Sequence, residues 1–181
     1  MNDQLVSSMK LFSLITFLAL LSNLLWGQQG QSVKSLTLID PNDNPAEIPY
    51  IGEKVLMIVY TDPDVKDVND PLSNSIKAKK FDTSVYSAIG IANCEETWIP
   101  NAAIRMKAKQ KAEQFEGSVI LLDEDKIVEK AWQLGDCNEK GVVIIIGKDK
   151  KIKYIKKVET EEESKKITPE VIRIIEQEIK K

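Results

Sequence analysis

Cys94 and Cys137 are the only thiols in a chain of 181 residues, and there is no histidine to activate either of them. A thiol becomes a nucleophile when a base or a positive neighbour removes its proton. The absence of histidine excludes Ser-His-Asp and Cys-His catalysis, and with them His-ligated zinc and His-ligated haem. Three states stay open for the cysteines: a structural disulfide, two unpaired thiols, or a pair that switches between oxidised and reduced forms. A second group of polar residues, Asp62, Asp64, Asp67 and Asp70, falls within nine residues. Clustered oxygens suit calcium, which makes these four weak metal-ligand candidates. Their spacing lacks the glycine and terminal glutamate of an EF-hand loop, and Pro63 and Pro71 stiffen the segment. The favoured reading is that they cap turns and the start of the next helix, where negative charge is stabilised.

The charge balance narrows the partners. Lys+Arg number 25 against 28 Asp+Glu, for a net charge of −3, and only Arg105 and Arg173 are arginines. A surface that reads phosphates bidentately is not expected, so nucleic acid is excluded as a partner. No Gly-rich phosphate loop occurs and no cofactor is expected. The clusters Asp123-Glu124-Asp125 and Glu161-Glu162-Glu163 read as solvated loops. Lys148, Lys150, Lys151, Lys153, Lys156 and Lys157 read as charges that protect an edge strand from pairing. Trp98 and Trp132 are expected to fill the core.

The elements that must position these residues alternate. Ser35–Ile39 reads as a strand ended by the turn cluster Asp40–Pro45. Val55–Tyr60 is a continuous apolar run, the pattern of a strand covered on both faces. Asp70-Pro71 starts a helix that buries Leu72 and Ile76, and Val85–Ala92 is the next strand. A helix from Pro100 to Phe115 places Ile104, Ala108, Ala112 and Phe115 on one face, with Arg105, Lys107, Lys109 and Lys111 on the solvated one. Ser118–Leu122 is a strand, and a helix carries Ile127, Val128, Ala131 and Leu134 inward before Gly135. Val142–Ile146 and Lys151–Val158 form a hairpin, and a charged loop leads to a last helix starting at Thr168-Pro169-Glu170. Parallel crossovers followed by an antiparallel hairpin and a helix give an α/β fold: a mixed sheet with helices on both faces.

Ahead of this body, Lys10 precedes an apolar run from Leu11 to Trp26, and the chain turns polar after Gly27. That layout predicts a secretory signal peptide over residues 1–27 and one domain over 28–181. Met9 is an alternative start. The apolar run falls short of the roughly 20 residues of a spanning helix, so the expectation is cleavage, a periplasmic or secreted product, and no stable membrane span afterwards.

Ser118–Asp123, then Ala131-Trp132-Gln133-Leu134, then Val142–Ile146 and the hairpin with its Thr-Pro-Glu helix start resemble the second half of the thioredoxin-like fold, in the extended form of secreted thiol–disulfide proteins. More narrowly, Ala131–Leu134, the strand at Val142 and Ile167-Thr168-Pro169-Glu170 are similar to the YtfJ family of exported bacterial proteins, for which the resemblance implies architecture and export but no activity. The resemblance also locates what is missing. A redox-active thioredoxin carries Cys-x-x-Cys after its central strand, whereas here Thr61-Asp62-Pro63-Asp64-Val65-Lys66-Asp67 follows Val55–Tyr60. The cis-proline position before Val142 holds Glu139-Lys140-Gly141.

The same resemblance puts Cys94 and Cys137 at the ends of strands flanking the central one. Such strands lie about 9–10 Å apart, beyond the roughly 4.4–6.8 Å between bridged Cα atoms unless a loop closes the gap. The expected function is a non-catalytic protein that binds an unidentified protein or small molecule at a rim including Thr61, Asp62, Asp64 and Asp67. The alternative is an atypical thiol–disulfide oxidoreductase with Cys94 and Cys137 as its redox thiols.

Overall fold

The continuous apolar runs of the sequence become the inner strands of one sheet. The computed structural model describes residues 30–95, 97–114 and 119–181; residues 1–27, read as a signal peptide, lie outside the described residues. In chain order come β1 (Thr37–Ile39), β2 (Pro45–Glu47), β3 (Val55–Thr61), α1 (Asp70–Lys79), β4 (Tyr86–Asn93) and α2 (Asn101–Gln114). Then follow β5 (Val119–Asp123), α3 (Ile127–Ala131), β6 (Gly141–Ile146), β7 (Ile152–Val158) and α4 (Glu161–Ile179). The strand order is β2-β1-β5-β4-β3-β6-β7. β3, β4 and β5 are parallel, and β6 runs antiparallel to both β3 and β7. This is the expected mixed sheet with its C-terminal hairpin and helix.

Alternation along each strand divides the core by sheet face. Leu56, Ile58 and Tyr60 of β3 join Ile89 and Ile91 of β4 and Leu121 of β5 under Val128, Trp132 and Leu134. Val55 and Met57 point the other way, against Leu72 and Ile76 of α1 and Ile167, Val171 and Ile175 of α4. On that second face, further along the sheet, α2 lays Ile104 and Ala108 over Leu122 and Cys94. Strand β6 is buried at all six positions, which is why its sequence shows no alternation.

Several boundaries differ from the sequence reading, each for a local reason. The turn after β1 does not end the sheet. Asp40 Oδ1 accepts from the backbone N–H groups of Asn42 and Asn44 at 2.8 and 2.9 Å, folding the chain back so that β2 pairs with β1. The last helix begins at Glu161 rather than at Thr168. Thr160 Oγ1 accepts from Glu163 N–H at 3.2 Å as an N-cap, which puts Glu161-Glu162-Glu163 in the first turn instead of a loop. Pro169 therefore sits inside the helix, where the Thr168 hydroxyl donates to the Ser164 carbonyl at 2.8 Å. The helix at Ile127 stops at Ala131 because Gln133 turns left-handed, at φ 55°. Leu134 is buried all the same, from the turn beyond. β7 is the edge strand that its lysines suggested.

Among the described residues no helix is long and apolar enough to cross a membrane. The first residue of β6 has its own constraint. A Cβ on Gly141 would stand 2.1 Å from Asn69 Nδ2 and 2.8 Å from Val68 Cγ1, both buried at the approach to α1. Gly141→Ala is expected to lower stability by about 1–3 kcal/mol, the usual cost of overpacking a tight site, as read from the midpoint of urea unfolding.

Candidate functional site

Four strand ends form one rim. β3, β4 and β5 finish there and β6 starts there, with Thr61 level with Ala92 and Gly141, and Asn93 level with Asp123. One residue past the β3 pairing, Asp62 follows Tyr60 on the same side of its strand. Asp62, Asn93 and Asp123 thus form a polar row across three neighbouring strands, and all three are fully buried.

Each carboxylate of the row is occupied by the protein itself. Asp62 Oδ1 accepts from Asp64 N–H at 2.9 Å, and Oδ2 accepts from Glu139 N–H at 2.7 Å. The backbone N–H of Asp62 donates to the Lys140 carbonyl at 3.1 Å. One residue therefore ties the loop after β3 to the loop before β6. Asp123 Oδ1 accepts from Ile127 N–H at 2.7 Å, and Oδ2 from Val128 N–H at 2.8 Å and the Tyr60 hydroxyl at 3.2 Å. Asp123 thereby satisfies the first turn of α3, whose N-cap Lys126 offers no side-chain bond. Burial, reinforced by the Asp123 charge, pushes the Tyr60 hydroxyl well above its ordinary pKa. The side-chain amide of Asn93 has no hydrogen-bond partner among the described residues.

The acidic residues do not act together. Asp62 is buried, while Asp64, Asp67 and Asp70 are exposed and Thr61 is half-buried. Asp67 pairs with Lys66 at 2.7 Å. Among the described residues no three acidic or sulfur groups stand where they could hold a metal ion. The Asp123-Glu124-Asp125 cluster is no solvated loop: Asp123 is buried, and Glu124 is paired with Arg105, which also reaches Asp43 at 3.2 Å. Arg105 is accordingly held in ion pairs rather than spread on the solvated face of its helix.

The cysteines are both free, both buried, and on opposite faces of the sheet. Cys94 packs with Ile104 and Ala108 of α2. Cys137 packs with Trp132 and Leu134 across the sheet. Each thiol hydrogen is directed at a local carbonyl, Ala92 for Cys94 at 3.6 Å and Gly135 for Cys137 at 3.1 Å. Burial pushes Cys94 up to about 12, helped by Glu124 and Asp123 and opposed by Arg105. Burial likewise pushes Cys137 up to about 12 against the opposing pull of Lys157. Both thiols are protonated at neutral pH, and the sheet keeps their sulfurs apart.

The loop before β6 contains no cis peptide, and Glu139 takes a left-handed conformation at φ 52°. The open part of the rim lies to one side. A shallow hollow of about 270 Å³ between the loop after β3 and the start of α4 is bordered by Asp64, Lys66, Asp67, Glu159 and Glu161. Of the two tryptophans expected in the core, Trp132 is there at 2% exposure, but Trp98, in the loop after β4, is 85% exposed.

Comparison with known proteins follows the same lines. A family model described as a bacterial protein of unknown function, YtfJ_HI0045, matches residues 52–178. The chain belongs to this family. Its fold is also that of the thioredoxin domain of the thiol-disulfide oxidoreductase BVU-2223 from Bacteroides vulgatus, with a TM-score of 0.54 and 14% identity over 81% of this chain and 97% of that one. The exposed lipoprotein thioredoxin Etrx1 from Streptococcus pneumoniae is similar at a TM-score of 0.51 and 9% identity, over 68% of this chain and 88% of that one. At such identities the likeness is one of fold alone. Comparison with curated proteins returns no match.

Asn93 did not stand out in the sequence and Asp123 read only as part of a solvated loop, because each ends an apolar run where a polar residue reads as the start of a loop. The register alone aligns them with Asp62.

Two outcomes are expected. Asp62→Ala leaves two backbone N–H groups without their acceptor and should cost about 2–4 kcal/mol, measured by urea unfolding; Asp62→Asn, which keeps one acceptor, should cost about half as much. The thiols give a pH signature. Each holds its proton more tightly in the folded chain, near 12, than in the unfolded one, near 8.5. Stability is therefore fully present below about pH 8.5 and is lost as pH rises toward 12, and a Cys94→Ala/Cys137→Ala variant should show a shallower decline in thermal midpoints over that window.

Proposed function

We propose that this protein is exported, is cut after Gly27, and acts as a non-catalytic binding protein on a thioredoxin-like fold, with the rim as its contact surface. One observation carries the reading: Asp62 stands just after the central strand, where a redox-active member of the fold would begin its cysteine motif, and both oxygens of its buried carboxylate are spent on backbone N–H groups. Those bonds join the loop after β3 to the loop before β6. A dithiol site needs these two loops free to admit a disulfide substrate between them. Here they are fastened.

The cysteines support the same view. Electron exchange between Cys94 and Cys137 requires their sulfurs to meet, and each is packed in a different cluster on a different face. Neither has the low pKa that makes a thiol attack. What remains accessible is the hollow beside Asp64 and Asp67. Four carboxylates, those of Asp64, Asp67, Glu159 and Glu161, border it against the single ammonium of Lys66. A partner suited to this surface carries positive charge.

The test uses protein recovered from exporting cells, whose intact mass should correspond to a chain beginning at Gln28. In an insulin-reduction assay with dithiothreitol this material should give the uncatalysed rate, and Cys94→Ser/Cys137→Ser should give the same rate. Turnover comparable to an intact thioredoxin, abolished by the double substitution, would establish the oxidoreductase alternative instead.

A further inference from the structure

Given export and a cut after Gly27, the reading proposed above on which this rests, we propose that Gly30–Val33 is a strap that fixes the order of maturation. The bond after Gly27 is open to a signal peptidase only while the strap is undocked from β7, and a chain that folds with its leader attached keeps it. β7 is the last strand on its side of the sheet, and the strap meets the backbone groups at its start and in the turn before it. Gly30 N–H donates to the Ile152 carbonyl at 2.8 Å, Ile152 N–H donates to the Gln31 carbonyl at 3.0 Å, and Val33 N–H donates to the Lys150 carbonyl at 2.8 Å. Ser32 stands opposite Lys151 in the antiparallel sense.

Val33 anchors the strap. Its side chain is 2% exposed and belongs to the same core cluster as Leu38, Ile48, Ile146 and Ile152. Undocking therefore breaks these backbone hydrogen bonds and also returns apolar surface to water. It leaves the start of an edge strand unpaired as well. Gly30, which makes the first of the bonds, stands at φ 87°, a backbone conformation that glycine adopts without steric cost.

Chain length then decides access. Between the Gly27–Gln28 bond and Gly30 stand only Gln28 and Gln29. At roughly 3.3–3.6 Å per residue they reach about 7 Å, too little to bring the scissile bond into a protease cleft while Gly30 is held against the domain. A protease takes its substrate as exposed, extended chain on both sides of the bond it cuts. Here the residues just beyond the cut are already paired with the start of β7. The cut itself adds water across the peptide bond, leaving a carboxylate on Gly27 and an amine on Gln28, and needs no other reactant.

Cell-free synthesis of the full chain in detergent micelles separates the two orders of events, with a bacterial signal peptidase either present throughout or added once synthesis has ended. Chains made in its presence should be cut, with the intact mass of a product beginning at Gln28. Chains that fold first should be cut at least about tenfold more slowly. A Gly-Ser-Gly-Ser-Gly-Ser spacer inserted between Gln29 and Gly30 leaves both the strap and the cut site intact. It should restore rapid cutting of the folded chain with the thermal midpoint unchanged. Val33→Pro removes one donor and the anchor, and should restore cutting by undocking the strap. If the folded, unaltered chain is cut as fast as the nascent one, or if the spacer brings no gain, the strap does not control processing and the proposal falls, while a product beginning at Gln28 still upholds the cut after Gly27. Failure to cut there under every condition overturns that reading and this proposal with it.

Discussion

The carboxylate of Asp62 is the constraint on which the rim depends. It is fully buried, and burial is tolerated because each of its oxygens accepts from a backbone N–H group, that of Asp64 on one side and that of Glu139 on the other. A buried charge without such partners would cost more than the fold could offset. The consequence is mechanical as well as electrostatic. Two loops distant in sequence are held at fixed separation, Glu139 is kept in a left-handed conformation, and Gly141 is pressed against the buried amide of Asn69. The end of the sheet where the fold usually performs its chemistry is here a stitched seam.

Beneath that seam the polar row continues to Asn93 and Asp123. Asp123 does for α3 what Asp62 does for the loops, accepting from the first two N–H groups of the helix and from Tyr60. Two of the three buried polar residues at the strand ends are therefore committed to holding backbone, which leaves little freedom for ligand or proton exchange at the centre of the rim. The sheet separates the thiols as well. Cys94 belongs to the α2 side and Cys137 to the α3 side, and burial holds both in the protonated form. Each then behaves as a small apolar side chain.

On the proposed reading the contact surface lies further out, on side chains that the core does not need. The hollow beside Asp64 and Asp67, bordered also by Glu159 and Glu161, is acidic. The similarity to thiol–disulfide proteins concerns the scaffold that supports this surface.

The sequence by itself determined the fold class, the inner strands, the closing hairpin and the absence of the cysteine motif, because apolar periodicity and the missing residue types are local properties of the chain. It also indicated that Leu72, Ile76, Ile104 and Ala108 face inward, since helical spacing fixes that without tertiary information. The start of the last helix was misread because Thr168-Pro169-Glu170 has the form of an N-terminus, and only packing of Ile167, Val171 and Ile175 against the sheet, with the Thr160 cap, extends the helix back over the charged residues before it. Which aspartate is buried, which tryptophan is exposed and which face each cysteine takes were decided by the tertiary structure. Those properties depend on strand register and on which element lies above, and neither is encoded in the neighbours of any one residue.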